Sequence, residues 1–524
     1  MISMRILAVF AALASIIAVP FALKPEDDLL AEADDTIVII TPHNEQIRYE
    51  FSRAFGEYYK RQTGRTVRID WRMPGGTSEI ARYIRSEYYA AFERLWKSSG
   101  REWTAEAAAT FDDPKAQTEA RREFLASNAS IGIDLFFGGG AFDFQQQADA
   151  GRLVDCEIVR KHPDWFDNDS IPKNVSGEIF YNDAGRWIGT VLSSFGICYN
   201  SDSLRRLQVT EIPSAWSDLG NPRFLTQVAL ADPTKSGSAA KAFEMIIQQQ
   251  MQREIQSANE FENEEARLQR GWELGLQIIQ RASANTRYFT DAASQVPVDV
   301  SLGDAAIGMC IDFYGRFQSE AIRVGDGPSR LQYFTPAGGS SVGVDPIGLF
   351  RGAPNAEAAK MFIEFVLSLE GQKLWDFKVG APGGPIKYAL RRQPIRKELY
   401  AAEFQPYRSD PDVNPYEEAK SFIYHPKWTG PLFKVVSFVI RTMCLDSHDE
   451  QVSAWKALIA AGFPPKATAV FSDMSAVSYK SAWETIRPAL STPNRIQEVQ
   501  LARKLGNQFR AQYREAEQLA KAGK

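Results

Sequence analysis

The residues of this chain best suited to chemistry gather in five short loops, each following an apolar run and leading into a segment of helical period. They read Pro42-His43-Asn44-Glu45, Pro74-Gly75-Gly76-Thr77-Ser78, Gly138-Gly139-Gly140, Asp232-Pro233-Thr234-Lys235-Ser236-Gly237-Ser238 and Asp312-Phe313-Tyr314-Gly315-Arg316. Glycines let a ligand approach the backbone, hydroxyls and amides offer donors, and a helix start presents unpaired N–H groups at the positive end of its dipole. Such loops suit an anionic or heavily oxygenated small molecule. Thr77-Ser78 followed by Glu79 also serves as an ordinary helix cap, and Gly138-Gly139-Gly140 as a plain turn. Lys235, set among hydroxyls just ahead of a helix, goes beyond what capping needs.

Other chemistries lack their residues. The sequence contains no His-Glu-x-x-His pair, Gly-x-Gly-x-x-Gly fingerprint or Walker loop. An acid–base enzyme would have to draw on His43, Glu45, Asp312 and Tyr314. Four histidines and four scattered cysteines without a Cys-x-x-Cys pair argue against a zinc or His-rich metal centre. Cys198 and Cys310 stand in apolar runs without a flanking His or Lys, the setting of an inert thiol. If the chain is exported, Cys156 with Cys444 and Cys198 with Cys310 are the disulfide pairings to weigh against free buried thiols. Sixty basic and 65 acidic side chains give a formal net charge of −5 in 524 residues, without the basic excess expected of a nucleic-acid binder.

Alternating strand-like and helical segments must position these loops. Residues 36–41, 66–71 and 131–137 read as strands, with helices at 47–62, 78–89 and 142–150 between and after them. Residues 93–130 read as a surface helical insertion. A second α/β unit follows residues 191–199, with strands at 227–231 and 305–311 and helices at 238–252, 260–280 and 313–324. This order implies parallel sheets covered on both faces. Residues 331–336 and 342–350 lead into an amphipathic segment at 355–377, and a charged helix is expected over 496–521. Residues 1–5 hold one basic charge, followed by an apolar run at 6–23, so that residues 1–24 read as an export signal or an uncleaved N-terminal anchor.

Several stretches together resemble the periplasmic solute-binding proteins of ABC importers, in the type II group that includes ferric-iron, sugar-phosphate and phosphonate binders. They are TIVIITPHNE, IDLFFGGGAFDFQQQADAGRLVD, SSFGICYNSDSL, VALADPTKSGSAAKAFEMI, AAIGMCIDFYG and SVGVDPIGLFRGAPNAEAAKMFIEFVLSLEGQKLW. The resemblance implies a two-lobed α/β fold. Residues 36–195 and 340–390 would form the first lobe and 200–336 the second, with crossovers near 197–200 and 341–345 and a largely helical extension at 391–524. It also implies a monomeric, periplasmic protein that closes on a small molecule or ion and passes it to a membrane permease, with no cofactor, no nucleic acid and no catalysis. Ligand contacts are expected from His43, Asn44, Glu45, Gly75, Gly76, Thr77, Ser78, Gly139, Gly140, Ser193, Ser194, Lys235, Ser236, Gly237, Ser238, Asp312, Tyr314 and Asp345. Ferric binders of the group use paired tyrosines after the strand matching AAIGMCI. Here Phe313 precedes Tyr314, so an iron reading would rest on Tyr314 and His43, and the Thr-Lys-Ser-Gly-Ser loop suits a phosphate or carboxylate better.

Overall fold

Burial of the strand-like runs organises the chain around two sheets. The computed structural model describes residues 33–257, 263–325, 327–491 and 495–524, so the apolar N-terminal run lies outside the described residues. The first unit runs β1 (Asp35–Ile40), α1 (Glu45–Thr63), β2 (Val67–Arg72), α2 (Thr77–Ser98), β3 (Leu135–Phe137), α3 (Ala141–Ala150) and β4 (Ile188–Ser193). The second runs β5 (Phe195–Asn200), β6 (Val228–Ala231), α4 (Gly237–Gln256), α5 (Glu264–Ala284), β7 (Thr286–Thr290), β8 (Ile307–Ile311), α6 (Asp312–Ala321) and β9 (Leu331–Phe334). The chain then returns through β10 (Gly343–Phe350), α7 (Ala356–Leu367), α8 (Leu369–Asp376) and β11 (Gln393–Pro394).

The first sheet has the order β11-β4-β10-β3-β1-β2, with Leu153–Val154 pairing off β10 as its seventh strand, and the second has the order β7-β6-β8-β5-β9. Each sheet is a parallel trio extended by antiparallel strands, so its loops at the carboxyl ends of the trio face the same side. The strands that leave and re-enter are neighbours in both sheets, β4 beside β10 and β5 beside β9. The first crossover is Ser194 itself. It falls earlier than residues 197–200 because the apolar run at 191–199 holds two strands broken at the serine pair rather than one.

Residues 93–130 depart from the expected surface insertion. Phe92, Phe111 and Phe124 are fully buried and pack with ring centroids 5.2–5.3 Å apart. The helices there span only six and eight residues, too short to show a period. The disulfide candidates also resolve differently: all four cysteines are free and buried. Cys156 belongs to the apolar core of the first lobe and Cys444 to that of the second, which excludes a bridge between them. Cys198 and Cys310 lie on paired strands, diagonal across the β5/β8 register.

The C-terminal region completes both lobes. Glu50 on α1, fully buried, accepts the backbone N–H groups of Ile386, Lys387 and Tyr388 at 2.7–3.1 Å and ties the chain ahead of β11 to the first lobe. Farther on, α9 (Phe433–Ile440), α10 (His448–Ala460) and α11 (Arg495–Lys521) share one apolar core with the second sheet. Trp272 donates to the Val477 carbonyl at 2.9 Å, and Trp455 to Asn285 at 2.8 Å. The change of lobe falls between two adjacent residues: the Tyr424 N–H bonds the Ser176 carbonyl of the first lobe, and the His425 N–H bonds Gln248 on α4 of the second. Gly177 permits this approach, since its φ is +84° and a Cβ would land on the Tyr424 carbonyl oxygen. Gly177→Ala is expected to cost about 1–3 kcal/mol for the left-handed backbone alone, read as a lower urea midpoint.

Candidate functional site

The loops at the carboxyl ends of both parallel trios border a cavity of about 500 Å³ between the lobes. Thr77 at the start of α2, Gly139 and Gly140 ahead of α3, and Ser193 and Asp345 at the strand crossing line it from the first lobe. Gly237 and Ser238 at the start of α4 and Ile311 ahead of α6 line it from the second. The lobes meet at the rim, where a Cβ on Gly76 would lie 3.1 Å from the Lys235 carbonyl oxygen. The C-terminal region supplies a further wall with Tyr424, Pro431 and Phe433, and Phe433 packs on Phe142 of α3 with centroids 4.7 Å apart. Trp187 is held by a 3.0 Å hydrogen bond from its indole N–H to Gln145. Aromatic and aliphatic surface therefore forms most of the wall, with a few placed polar groups, as in small-molecule sites generally.

Two ionic clusters carry the charge of the site. Lys241, one turn into α4, lies 3.0 Å from both Glu178 and Glu244 and 3.6 Å from the centre of the Tyr424 ring. Tyr424 and Thr429 donate to Glu244 at 2.9 and 2.5 Å, and Ser341 to Glu178 at 2.6 Å. Burial works against the Lys241 charge, but the two glutamates outweigh it and hold the ammonium pKa well above its ordinary value. At the other cluster, the fully buried Arg392 donates to Asp345 at 2.6 Å and Ser193 at 2.8 Å and lies 4.0 Å over the Phe313 ring. Burial would raise the Asp345 pKa, and Arg392 with His43 brings it below the usual carboxylate value. His43 sits behind this pair, its Nε2 3.8 Å from Asp345 and its Nδ1 without a partner, and burial lowers its pKa so that the ring stays neutral.

Asp143 differs from these groups. It lines the cavity from the first turn of α3, and its carboxylate faces the start of α4 across the lobe boundary, 3.8 Å from where a Gly237 Cβ would lie. Burial pushes its pKa up to about 6, and the exposed Lys434 offsets part of that shift without forming an ion pair with it.

Of the expected contact residues, Thr77, Gly139, Gly140, Ser193, Gly237, Ser238 and Asp345 line this cavity. The others lie elsewhere. Asn44 and Ser236 cap α1 and α4, Glu45 is exposed, Ser78 lies within the first turn of α2, and Gly75 and Gly76 sit against Glu79. Lys235 is half exposed and pairs with Asp291 at 2.6 Å, outside the lining. Ser194 borders a separate recess with Arg316 and Tyr333, and Asp312 is bound to Arg316 at 3.2 Å. Tyr314 packs at a tilt against Phe313 beside Asn44 in a recess of about 10 Å³. Sequence reasoning passed over Asp143, Glu178, Trp187, Lys241, Glu244, Arg392, Tyr424 and Phe433. A signal existed for one pair only: Lys241 and Glu244 stand three apart on a helix following a ligand-type loop.

Residues 130–396, just over half of the chain, match the family described as bacterial extracellular solute-binding protein. An uncharacterised protein of Haemophilus influenzae is 24% identical over 241 residues, covering 46% of this chain and 60% of that one. The phosphoglycerate transport regulatory protein PgtC of Salmonella typhimurium is 22% identical over 223 residues, 42% of this chain and 49% of that one. The chain thus spans about half the length of the curated relatives it matches. Among solved structures, the periplasmic binding protein AfuA from Actinobacillus pleuropneumoniae, with fructose-6-phosphate bound, is 14% identical, covers 76% of this chain and 98% of its own, and has a TM-score of 0.48.

Proposed function

The chain belongs to the bacterial extracellular solute-binding proteins, and from that premise we propose that it captures a small solute outside the cytoplasm and delivers it to an ABC importer in the membrane. Capture takes place in the cavity between the lobes, which close on the solute about the strand crossings at Ser194 and at residues 335–342, and no bond is made or broken. The observation that carries this reading is a cavity of about 500 Å³ whose walls come from both lobes, at the carboxyl ends of both parallel trios. With Asp345 paired to Arg392 behind the wall, three lining carboxylates, Asp143, Glu178 and Glu244, stand against one lining ammonium, Lys241. That balance favours a polyoxygenated or cationic solute over the anionic one that Lys235 suggested.

An iron cargo finds less support. Among the described residues no group of three or more His, Cys, Asp and Glu side chains could hold a metal ion, and Tyr314 lies outside the cavity lining.

A Cβ on Gly237 would meet Asp143 and Thr77 only at ordinary van der Waals distance, 3.8 and 4.0 Å, and Gly237 lines the cavity, so Gly237→Phe is expected to fill it. A thermal-shift screen of the protein against polyols, amines, phosphosugars and ferric citrate should find a ligand that raises the melting temperature. The variant should bind it at least about a hundredfold more weakly, equivalent to about 2.7 kcal/mol. Equal binding by the variant would move the site elsewhere.

A further inference from the structure

Three helix starts, those of α2, α3 and α4, reach the cavity and would ordinarily draw an anion to it. The protein has placed its own anion there. Asp143 lies in the first turn of α3 and its carboxylate faces the first turn of α4, so a phosphate or carboxylate brought to these helix ends would meet a fixed negative charge.

The remaining charges do not reverse this. Lys241 is already committed to Glu178 and Glu244, and Asp345 to Arg392. Asp143 forms no side-chain hydrogen bond or ion pair with any described residue; Lys434, exposed on α9, acts on it only at a distance. Thr77 and Gly237 stand beside its carboxylate, and the cavity wall includes the apolar and aromatic surfaces of Phe142, Phe433, Trp187 and Val344. Of the neutral polar side chains in the lining, Gln145 and Ser193 already bond Trp187 and Arg392, which leaves a polyol few free partners besides Thr77 and Ser238. A cation on an apolar body needs one carboxylate and a set of ring faces.

We infer that the solute is a small organic cation whose ammonium group binds Asp143 while its apolar part lies against Phe142, Phe433 and Trp187. The inference rests on the solute-binding reading above and narrows it to one chemical class. It also assigns Asp143 as the residue that sets the charge the site accepts, with the C-terminal Phe433 forming part of the specificity wall.

Calorimetry on the full chain tests it with three probe sets: phenethylamine, choline and cadaverine as cations; xylitol and glucose as neutral polyols; and glucose 6-phosphate as an anion. At least one cation should bind, and Asp143→Asn should weaken it by ten- to a hundredfold. The urea midpoint of the variant should stay near that of the parent, because the carboxylate holds no protein partner. Asp143→Glu should retain part of the affinity. Binding confined to a polyol or to glucose 6-phosphate, or cation binding undiminished by Asp143→Asn, would overturn the inference and leave the solute-binding reading standing. Failure of all three sets to bind would overturn both.

Discussion

Lys241→Met is expected to destabilise the protein by about 3 kcal/mol, the low end of the cost of breaking a buried ion pair, because about a fifth of the lysine side chain reaches solvent. The variant leaves Glu178 and Glu244 beside each other, 10% and 0% exposed, with no counter-charge. Their hydrogen bonds from Ser341, Tyr424 and Thr429 satisfy oxygen lone pairs but cannot neutralise two carboxylates. Urea unfolding of the single variant should show a clear fall in midpoint at constant slope. Adding Glu178→Gln and Glu244→Gln should recover most of the loss, since the cost lies in the orphaned charges. A single variant as stable as the parent, or a triple variant no better than the single, would show that the lysine is held for a different reason.

The second large effect belongs to Arg392→Met, expected to cost about 4 kcal/mol as the removal of a fully buried partner from an ion pair. Its pH dependence is distinctive. In the parent, Arg392 keeps the Asp345 pKa below its ordinary value, so the pair contributes stability above the unfolded carboxylate pKa of about 3.9 and loses it as pH falls through the folded pKa. In the variant, burial without the guanidinium should raise the Asp345 pKa above that of the unfolded chain, so its penalty is present at neutral pH and is relieved on protonation. The stability gap between the two proteins should therefore narrow as pH falls from 7 toward 4. A gap that stays constant would mean that Arg392 stabilises by packing on Phe313 and Trp375 alone.

The architecture of the two α/β lobes could be read from period and composition. Strands such as β1 and β6 are short β-branched or aliphatic runs, and helices such as α4 follow them at once. The second strand of the run at 191–199 was not legible, because two consecutive buried strands look like one where the break is a pair of serines. Strand-end loops located the cavity but not its chemistry. Lys235 points to Asp291, while Lys241, six residues farther on, faces the site, and only the i,i+3 spacing of Lys241 and Glu244 hinted at the difference. Arg392 and Tyr424 were beyond reach for a different reason. They lie 47 residues or more from their partners Asp345 and Glu244, and only tertiary packing brings them together.

The bonds of Tyr424 to one lobe and His425 to the other mean that the backbone passes between the lobes three times, at Ser194, at residues 335–342 and at Tyr424-His425. Two adjacent crossings permit a free hinge rotation, whereas a third tether on a separate path removes a degree of freedom from it. Under the proposed closure, the solute's residence time depends on how far and how often the stretch from Ser176 to Gln248 through Tyr424 yields, a local breathing event rather than a swing of whole lobes. Exchange of the solute becomes a property tunable by the length and stiffness of one short strap of chain that itself carries part of the cavity wall at Tyr424.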